Sequence, residues 1–530
     1  MNWPETTMEQ VVGKYLSFIH NRFLGSFSSP WISHLEYIYN DLDYMYCLIG
    51  TFTVLLSLII IPCYVSYSLL FSPNKNQKSF ITQNKTSLLV LLLSYISLHI
   101  YDHETNHGIT HLIAGSDPKI QQLLEKTPIL RRGPKPPIWF RNPNIQFIPW
   151  MIQNEIHARQ GIQYQRHELV VTDCIDKSIP NCEADDIMKD TITLDVFPPL
   201  EDENDDDHYF SINFPKSTPV VLFAPGLRCH SQDLPSNSII RAVYGKGFRS
   251  IVVNRRGHTP GQKLKSPRVN IFGDVDDLEQ VYWHVKNKMI SPNTPIFLHG
   301  ISSGTAVVVS ALSKWDKRAL LEPHRPSPQF TAAVTATPGY DTSRALQPDR
   351  FKWPYNPLMS QMVKDHFFAF NEEILRSYDN DAYQRVMNAS SLQDVVDASA
   401  HFAGYPNASS YYHHTNPINE MQYISTPVYV INSIDDPCCS IDNLYDTSLN
   451  VDHGGKSYVE LIKNSERCLL VITRTGSHLP FLDGYVYPFV SDPLSNQHGN
   501  EGVMLNSWAD QSIAEYYVAA LEVYNERRFL

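Results

Sequence analysis

The chain has 530 residues, of which 43% are hydrophobic, 12% aromatic and only 18% charged, with a net charge of −12. This length excludes a mini-protein or a lone disordered tail, and the charged share lies below the roughly 25% usual for soluble domains, so apolar surface must be buried in a core or a membrane. The acidic balance offers no field to attract phosphate backbones, which argues against a nucleic-acid role, and eight cysteines are too few for a disulfide scaffold.

Residues 1–43 form a mostly polar segment. Between Asp43 and Lys75 no Asp, Glu, Lys or Arg occurs, and the run, rich in Leu, Ile and Val from Leu48 to Phe71, exceeds the roughly 20 residues that a bilayer-spanning helix needs. Residues 44–74 are therefore expected to form an uncleaved transmembrane anchor. Pro62 is tolerated in such a span, where neighbours satisfy the freed carbonyl. A cleaved signal would carry a basic region directly before the apolar run, and none stands there. A second uncharged run, residues 86–101, is short for a full span and fits a re-entrant or interfacial helix as well. Lys75, Lys78 and Lys85 follow the first run while Glu36, Asp41 and Asp43 precede it, which places the intervening loop in the cytosol. One crossing then leaves the bulk of the chain cytosolic, and two leave it lumenal or extracellular. The Asn-x-Ser/Thr triplets at Asn84, Asn388 and Asn407 are too common by chance to choose.

From about Lys119 to Pro149 the chain is proline-rich and basic, as in Leu130-Arg131-Arg132-Gly133-Pro134-Lys135-Pro136-Pro137, and reads as an extended linker. The second apolar segment and this linker are assigned to residues 75–137 and a folded catalytic domain to residues 138–530. Short β-rich segments come first, with the acidic run Glu201 to Asp207 as a solvated hairpin tip. Beyond Thr218 strands alternate with helices, the pattern of a mostly parallel sheet covered on both faces. Strands are predicted at 220–223, 250–253, 295–298, 332–335, 428–431 and 469–472. Helices are predicted at 236–244, 275–289 and 303–314, the second from Val275, Leu278, Val281, Tyr282 and Val285, mostly at spacings of three and four. Residues 337–422 are aromatic-rich and too long for a simple connection. They are expected to form a helical cap over the sheet's carboxyl edge, where open α/β sheets place ligand sites.

At the end of the third of these strands stands Gly300-Ile301-Ser302-Ser303-Gly304, a G-x-S-x-G pattern in strand, turn, helix context. The small residues let a sharp turn pack tightly and hold Ser302 strained and exposed, while the competing Ser303 falls in the first helical turn. A serine hydroxyl is a poor nucleophile near neutral pH, so a base must take its proton and a third group must orient that base. In this architecture the acid and then the histidine follow at later strand ends. The loop after strand 428–431 offers Asp435 and Asp436, of which Asp436, directly before Pro437, is preferred. The loop after strand 469–472 offers His478, preceded by Gly476-Ser477. An oxyanion needs two backbone donors. The N–H of Ser303 supplies one, and the loop Ala224-Pro225-Gly226-Leu227 supplies the other, assigned to Leu227.

These segments, with His230-Ser231, Val253-Asn254-Arg255-Arg256-Gly257, Leu264-Lys265-Ser266-Pro267-Arg268, Tyr411-Tyr412 and the late Trp508 helix, resemble the membrane-anchored ABHD branch of the α/β-hydrolase fold. That branch is similar to bacterial YheT-like and fungal medium-chain ester-synthesising esterases. The resemblance runs from about Ile138 to the C-terminus. It implies an α/β-hydrolase fold and a membrane-bound serine esterase or lipase, in the endoplasmic reticulum or another endomembrane. Its substrates would be acylglycerols, phospholipids or medium-chain esters. Two alternatives are an acyltransferase that makes esters with an alcohol acceptor and a non-catalytic lipid-binding signalling protein. A third is a thioesterase or peptidase on the same fold. Thr305 and Ser477 stand where relatives often carry glycine, which bears on rate and pocket shape. No cofactor or metal is required, the expected partners are a lipid ester and the membrane, and Cys438-Cys439 beside the acid loop are read as two buried thiols without a role.

Overall fold

A computed structural model describes residues 108–137, 140–159, 162–177, 187–200, 214–445, 456–484, 489–494 and 503–528. The anchor at 44–74, the apolar run at 86–101, Asn84 and the acidic run lie outside the described residues. Among the described residues no helix is long and apolar enough to cross a membrane.

A nine-stranded sheet organises the described chain. Its strands are β1 (Ile109–Ala114), β2 (Gln165–Cys174), β3 (Ile187–Phe197), β4 (Val220–Ala224), β5 (Arg249–Asn254), β6 (Ile296–Ile301), β7 (Ala332–Ala336), β8 (Val428–Ser433) and β9 (Cys468–Thr473), in the spatial order β1-β9-β8-β7-β6-β4-β5-β3-β2. The six strands from β4 to β9 run parallel, β1 pairs antiparallel with β9, and the β2–β3 hairpin closes the other edge antiparallel to β5. With helices on both faces, this is the α/β-hydrolase fold.

The parallel strands are continuous apolar runs because both of their faces are covered. In β4, Val220 and Leu222 enter one core with Leu278, Val281, Val308 and Trp315, while Val221 and Phe223 enter another with Ile239, Val243, Trp508 and Tyr517. The two-residue period of a strand produces this division. The first core is closed by α4 (Val275–His284) and α5 (Gly304–Leu321), and the second by α3 (Leu234–Tyr244) and α12 (Trp508–Arg528).

Residues 119–137 are not an extended linker. Upstream of them, β1 already belongs to the sheet, and α1 (Pro118–Lys126) buries Ile120 and Leu123 in the second core. Pro118 occupies the first helical turn, where its missing N–H costs nothing, and Asp117 caps the helix by accepting from Lys119 N–H at 2.7 Å. Within the proline-rich stretch itself, Pro128 and Pro143 likewise stand at helix starts, while 133–137, with Pro134, Pro136 and Pro137, carry no regular structure. The segment is then tied down by Arg132, whose guanidinium donates to both Asp483 oxygens at 2.9 and 2.7 Å and whose carbonyl accepts from Trp508 Nε1 at 3.0 Å. A further helix, α2 (Pro143–Arg159), stands where β-rich segments were expected to begin.

Between β7 and β8 lie five α-helices, α6 (Tyr355–Val363), α7 (Glu372–Tyr378), α8 (Asn380–Asn388), α9 (Leu392–Ser399) and α10 (Ala408–Thr415), with shorter helical turns among them. They share an apolar core built around Phe367, Phe368, Tyr383, Val396 and Phe402, against which Leu227 packs. Between β8 and β9 comes α11 (Tyr458–Asn464). The chain reverses its direction of travel across the sheet at β4, which sits between β5 and β6. The crevice beyond the carboxyl ends of β4 and β6 is therefore the switch point where such folds bind ligands.

Candidate active site

Ser302 follows β6 with φ +52, a left-handed backbone that non-glycine residues rarely adopt. Its N–H donates to Ala336 O at 2.9 Å, and Thr305 Oγ donates to its carbonyl at 2.6 Å. The turn requires glycine at its far end: a Cβ on Gly304 would stand 2.2 Å from Ala224 O and 2.5 Å from Pro225 O. A Cβ on Gly300 would meet Gly304 O at 2.8 Å and Val308 Cγ2 at 2.9 Å. Thr305, where relatives often carry glycine, thus uses its hydroxyl to hold the turn.

The structure brings Ser302, Asp436 and His478 together from the ends of three strands. His478 Nε2 lies 2.8 Å from Ser302 Oγ, and its Nδ1 lies 2.8 Å from Asp436 Oδ2 and 3.0 Å from Oδ1. An ionised carboxylate can only accept, so Nδ1 carries the ring proton and Nε2 is left to accept from the serine hydroxyl. Asp436 is further held by N–H groups of Cys438 and Cys439, which donate to Oδ1 at 2.7 and 2.8 Å. Burial disfavours the charged form of His478, but the Asp436 carboxylate outweighs it and raises the imidazole above its ordinary 6.5. His299 shows burial acting alone: with no partner at either ring nitrogen it is pushed down to about 3.

Asp435, the competing carboxylate, does different work. Its Oδ1 accepts from Ser433 Oγ at 2.7 Å and from Ser477 N–H at 2.9 Å, while Ser433 Oγ also reaches Ser477 O at 2.8 Å. It therefore pins the turn that carries His478, in which Ser477 takes φ +58. Burial pushes Asp435 up to about 6.

Leu227 and Ser303 both lie half-buried beside Ser302, one after β4 and the other at the start of α5. Among the described residues, neither the Leu227 N–H nor the Ser303 N–H has an acceptor within the protein. The loop passes close to the serine: a Cβ on Gly226 would stand in ordinary contact with Ser302 Cβ, at 3.4 Å.

One group that the motif contained but sequence reasoning left without a role is Arg255. Its Nη2 donates to Pro225 O at 3.0 Å, to Gly226 O at 3.1 Å and, at 3.4 Å, to Ser303 Oγ. Nη1 donates to Phe272 O at 2.6 Å. Nη2 also meets His258 Nε2 at 3.0 Å. A guanidinium cannot accept, so that imidazole nitrogen does, and its Nδ1–H donates to Arg256 O at 3.2 Å. Arg255 thereby grips both segments that carry the two unpaired N–H groups. The far end of the same loop is held by Asn254, whose Oδ1 accepts from Ser231 N–H at 2.9 Å, and by Asp195, which accepts from Ser231 Oγ at 2.5 Å. His413 is exposed on α10, away from this network's hydrogen bonds.

No family model matches the chain. It is 25% identical over 381 residues to the phospholipase ABHD3 of Mus musculus, covering 70% of this chain and 79% of that one. It is 22% identical over 338 residues to the mouse monoacylglycerol lipase ABHD2, covering 62% and 69%. Among solved structures it resembles the α/β hydrolase GrgF from Penicillium, at a TM-score of 0.34 and 16% identity, over 59% of this chain and 91% of that one.

Proposed function

We propose that this chain is a carboxylic ester hydrolase that cleaves acyl esters of lipids through Ser302, His478 and Asp436. The observation that carries the reading is the unbroken chain of contacts from Asp436 through His478 to Ser302 Oγ. His478 takes the serine proton as Oγ attacks the ester carbonyl, and Asp436 stabilises the imidazolium that forms. The N–H groups of Leu227 and Ser303 receive the oxyanion. His478 then returns the proton to the departing alcohol, and water releases the acyl group by the same steps in reverse. Similarity to a phospholipase and a monoacylglycerol lipase supports lipid esters as substrates. Placement in the membrane-anchored, YheT-like branch is part of the same proposal and rests on the motifs. A fluorophosphonate probe tests the nucleophile: it labels the wild type and not Ser302→Ala, and equal labelling of both would overturn the assignment. A panel of para-nitrophenyl esters followed by lipid esters of graded acyl length then reads the substrate class.

Membrane attachment through residues 44–74 belongs to this proposal. Cys174 is disulfide-bonded, and disulfides persist in oxidising compartments. That favours two crossings, with the hydrolase domain lumenal. Asn388 and Asn407 are both exposed, so in eukaryotic cells the full-length protein is expected to lose apparent mass on endoglycosidase treatment. An unchanged mobility, with Cys174 open to a thiol reagent in intact microsomes, would place the domain in the cytosol.

A further inference from the structure

The acid loop carries two thiols for which ester hydrolysis has no use. Ligand atoms of Asp436, Cys438 and His478 lie within 4.8 Å of one another. The next residue, Cys439, donates its backbone N–H to Asp436 Oδ1 at 2.8 Å. Cys438 and Cys439 are both free and half-buried, while Asp436 and His478 are buried. Sulfur, imidazole and carboxylate together are the donor set of tetrahedral zinc sites.

We propose that Asp436, Cys438 and His478 form a site for a soft divalent cation of the Zn2+ type, whose binding switches the hydrolase off. The inference rests on Ser302 and His478 being the nucleophile and base. In a tetrahedral site with Zn–S near 2.3 Å and Zn–N near 2.0–2.1 Å, the ligand atoms stand about 3.3–3.6 Å apart, so side-chain adjustments of about an ångström close the site. Three protein ligands leave the fourth position to solvent.

Either ring nitrogen makes the cation inhibitory. On Nε2 it occupies the lone pair that accepts the serine proton. On Nδ1 it forces the ring proton onto Nε2, which then donates and can no longer act as base. Binding breaks the Cys438 S–H bond, forms a metal–sulfur bond and releases that proton to solvent, with no electron transferred. Hard cations such as Mg2+ prefer oxygen ligands and are not held by thiolate.

The test uses the full-length protein with Zn2+, Cd2+ and Mg2+ buffered at known free concentrations near neutral pH. Hydrolysis of a para-nitrophenyl ester is followed, and each variant is referred to its own metal-free rate. Zn2+ and Cd2+ inhibit the wild type and Mg2+ does not. Cys438→Ser raises the half-inhibiting Zn2+ concentration at least about tenfold, and Cys438→Ala, a second truncation that keeps the backbone N–H, does the same. Equilibrium dialysis of Zn2+ against Ser302→Ala shows binding that the added Cys438→Ser removes. This second readout needs no substrate, so it survives if the hydrolase reading fails. Equal Zn2+ sensitivity of wild type and Cys438→Ser, or no Zn2+ held by Ser302→Ala, would overturn the proposal.

Discussion

Arg255 and Arg256 are consecutive and equally buried, 7% and 6% exposed, yet they serve regions built on opposite electrostatic rules. Arg256 belongs to an ion cluster. Its Nε and Nη2 donate to the two Asp277 oxygens at 2.7 and 2.5 Å, and Asp173 stands 3.6 Å from its Nη1. Asp173 also meets Arg268 Nε at 3.0 Å and Lys177 Nζ at 3.1 Å, and Lys177 pairs with Asp274. Each buried charge there has an opposite neighbour. Among the described residues no carboxylate pairs with Arg255, whose fork is spent on carbonyls around the serine. Burial lowers Arg255 to about 10, whereas for Arg256 burial is outweighed by Asp277 and the shift is upward. A buried charge without a counter-ion is costly. On the proposed mechanism, Arg255 would meet negative charge only when the reaction creates it, which is where such a cation aids a transition state.

This contrast predicts that the two regions fail differently. The largest effect belongs to the catalytic side: Ser302→Ala should lower kcat by about 10^6-fold and Asp436→Asn by about 10^4-fold, with melting temperatures close to wild type. A fall of many degrees alongside would merge the two regions and break the contrast. Activity against pH sharpens it further. The base must be unprotonated, and its pKa is raised by Asp436, so the rate climbs with pH through a midpoint above 6.5. Activity is lost as pH falls through that midpoint, and in Asp436→Asn the residual activity should show it at lower pH.

Arg255→Gln should lower kcat by about 10^2- to 10^3-fold with a smaller change in KM. Affinity for a trifluoromethyl ketone that mimics the tetrahedral adduct should fall in parallel, and Arg255→Lys should recover part of both. An unchanged inhibitor affinity would reduce Arg255 to a packing role. Arg256→Gln should do the reverse, removing about 3–5 kcal/mol of stability by leaving Asp277 buried and unpaired, while kcat of the folded fraction stays within a few-fold. Chemical denaturation with paired kinetics separates the two arginines. The smallest effect is expected at Asp435→Asn, below about tenfold in kcat/KM, because the amide oxygen can still accept from Ser433 and Ser477. A loss matching that of Asp436→Asn would mean the two carboxylates had been assigned the wrong way round.

Much of the site is legible in the amino-acid sequence. The G-x-S-x-G elbow is recognisable as a short pattern although its steric cause is only partly local: Gly300 is demanded by Gly304 and Val308, but Gly304 by Ala224 and Pro225 on the adjoining strand and loop. Asp436 and His478 could be placed because parallel strands deliver their loops to one edge. The choice between Asp435 and Asp436 had only the proline as a hint, and the structure separates them by direction: one faces the His478 imidazole, the other the backbone of Ser477. Arg255 was visible as part of a motif, but its hydrogen bonds end on carbonyls 29 and 30 residues away in sequence, and no periodicity encodes such a contact. The stretch 119–137 misled because an irregular proline-rich segment pinned to the domain and a free linker are alike in composition, and Ile120 and Leu123 acquire meaning only against α12 and the sheet.

By itself, then, the amino-acid sequence determined those features that a short pattern carries: apolar strands, the glycine-flanked serine turn, and the chain order of Ser302, Asp436 and His478 at strand ends. Tertiary structure alone decided which carboxylate meets the histidine, that Arg255 has no carboxylate partner among the described residues, and that the Cys438 thiol stands close to Asp436 and His478. Those outcomes depend on distances between residues far apart in the chain, and only the packed sheet sets them.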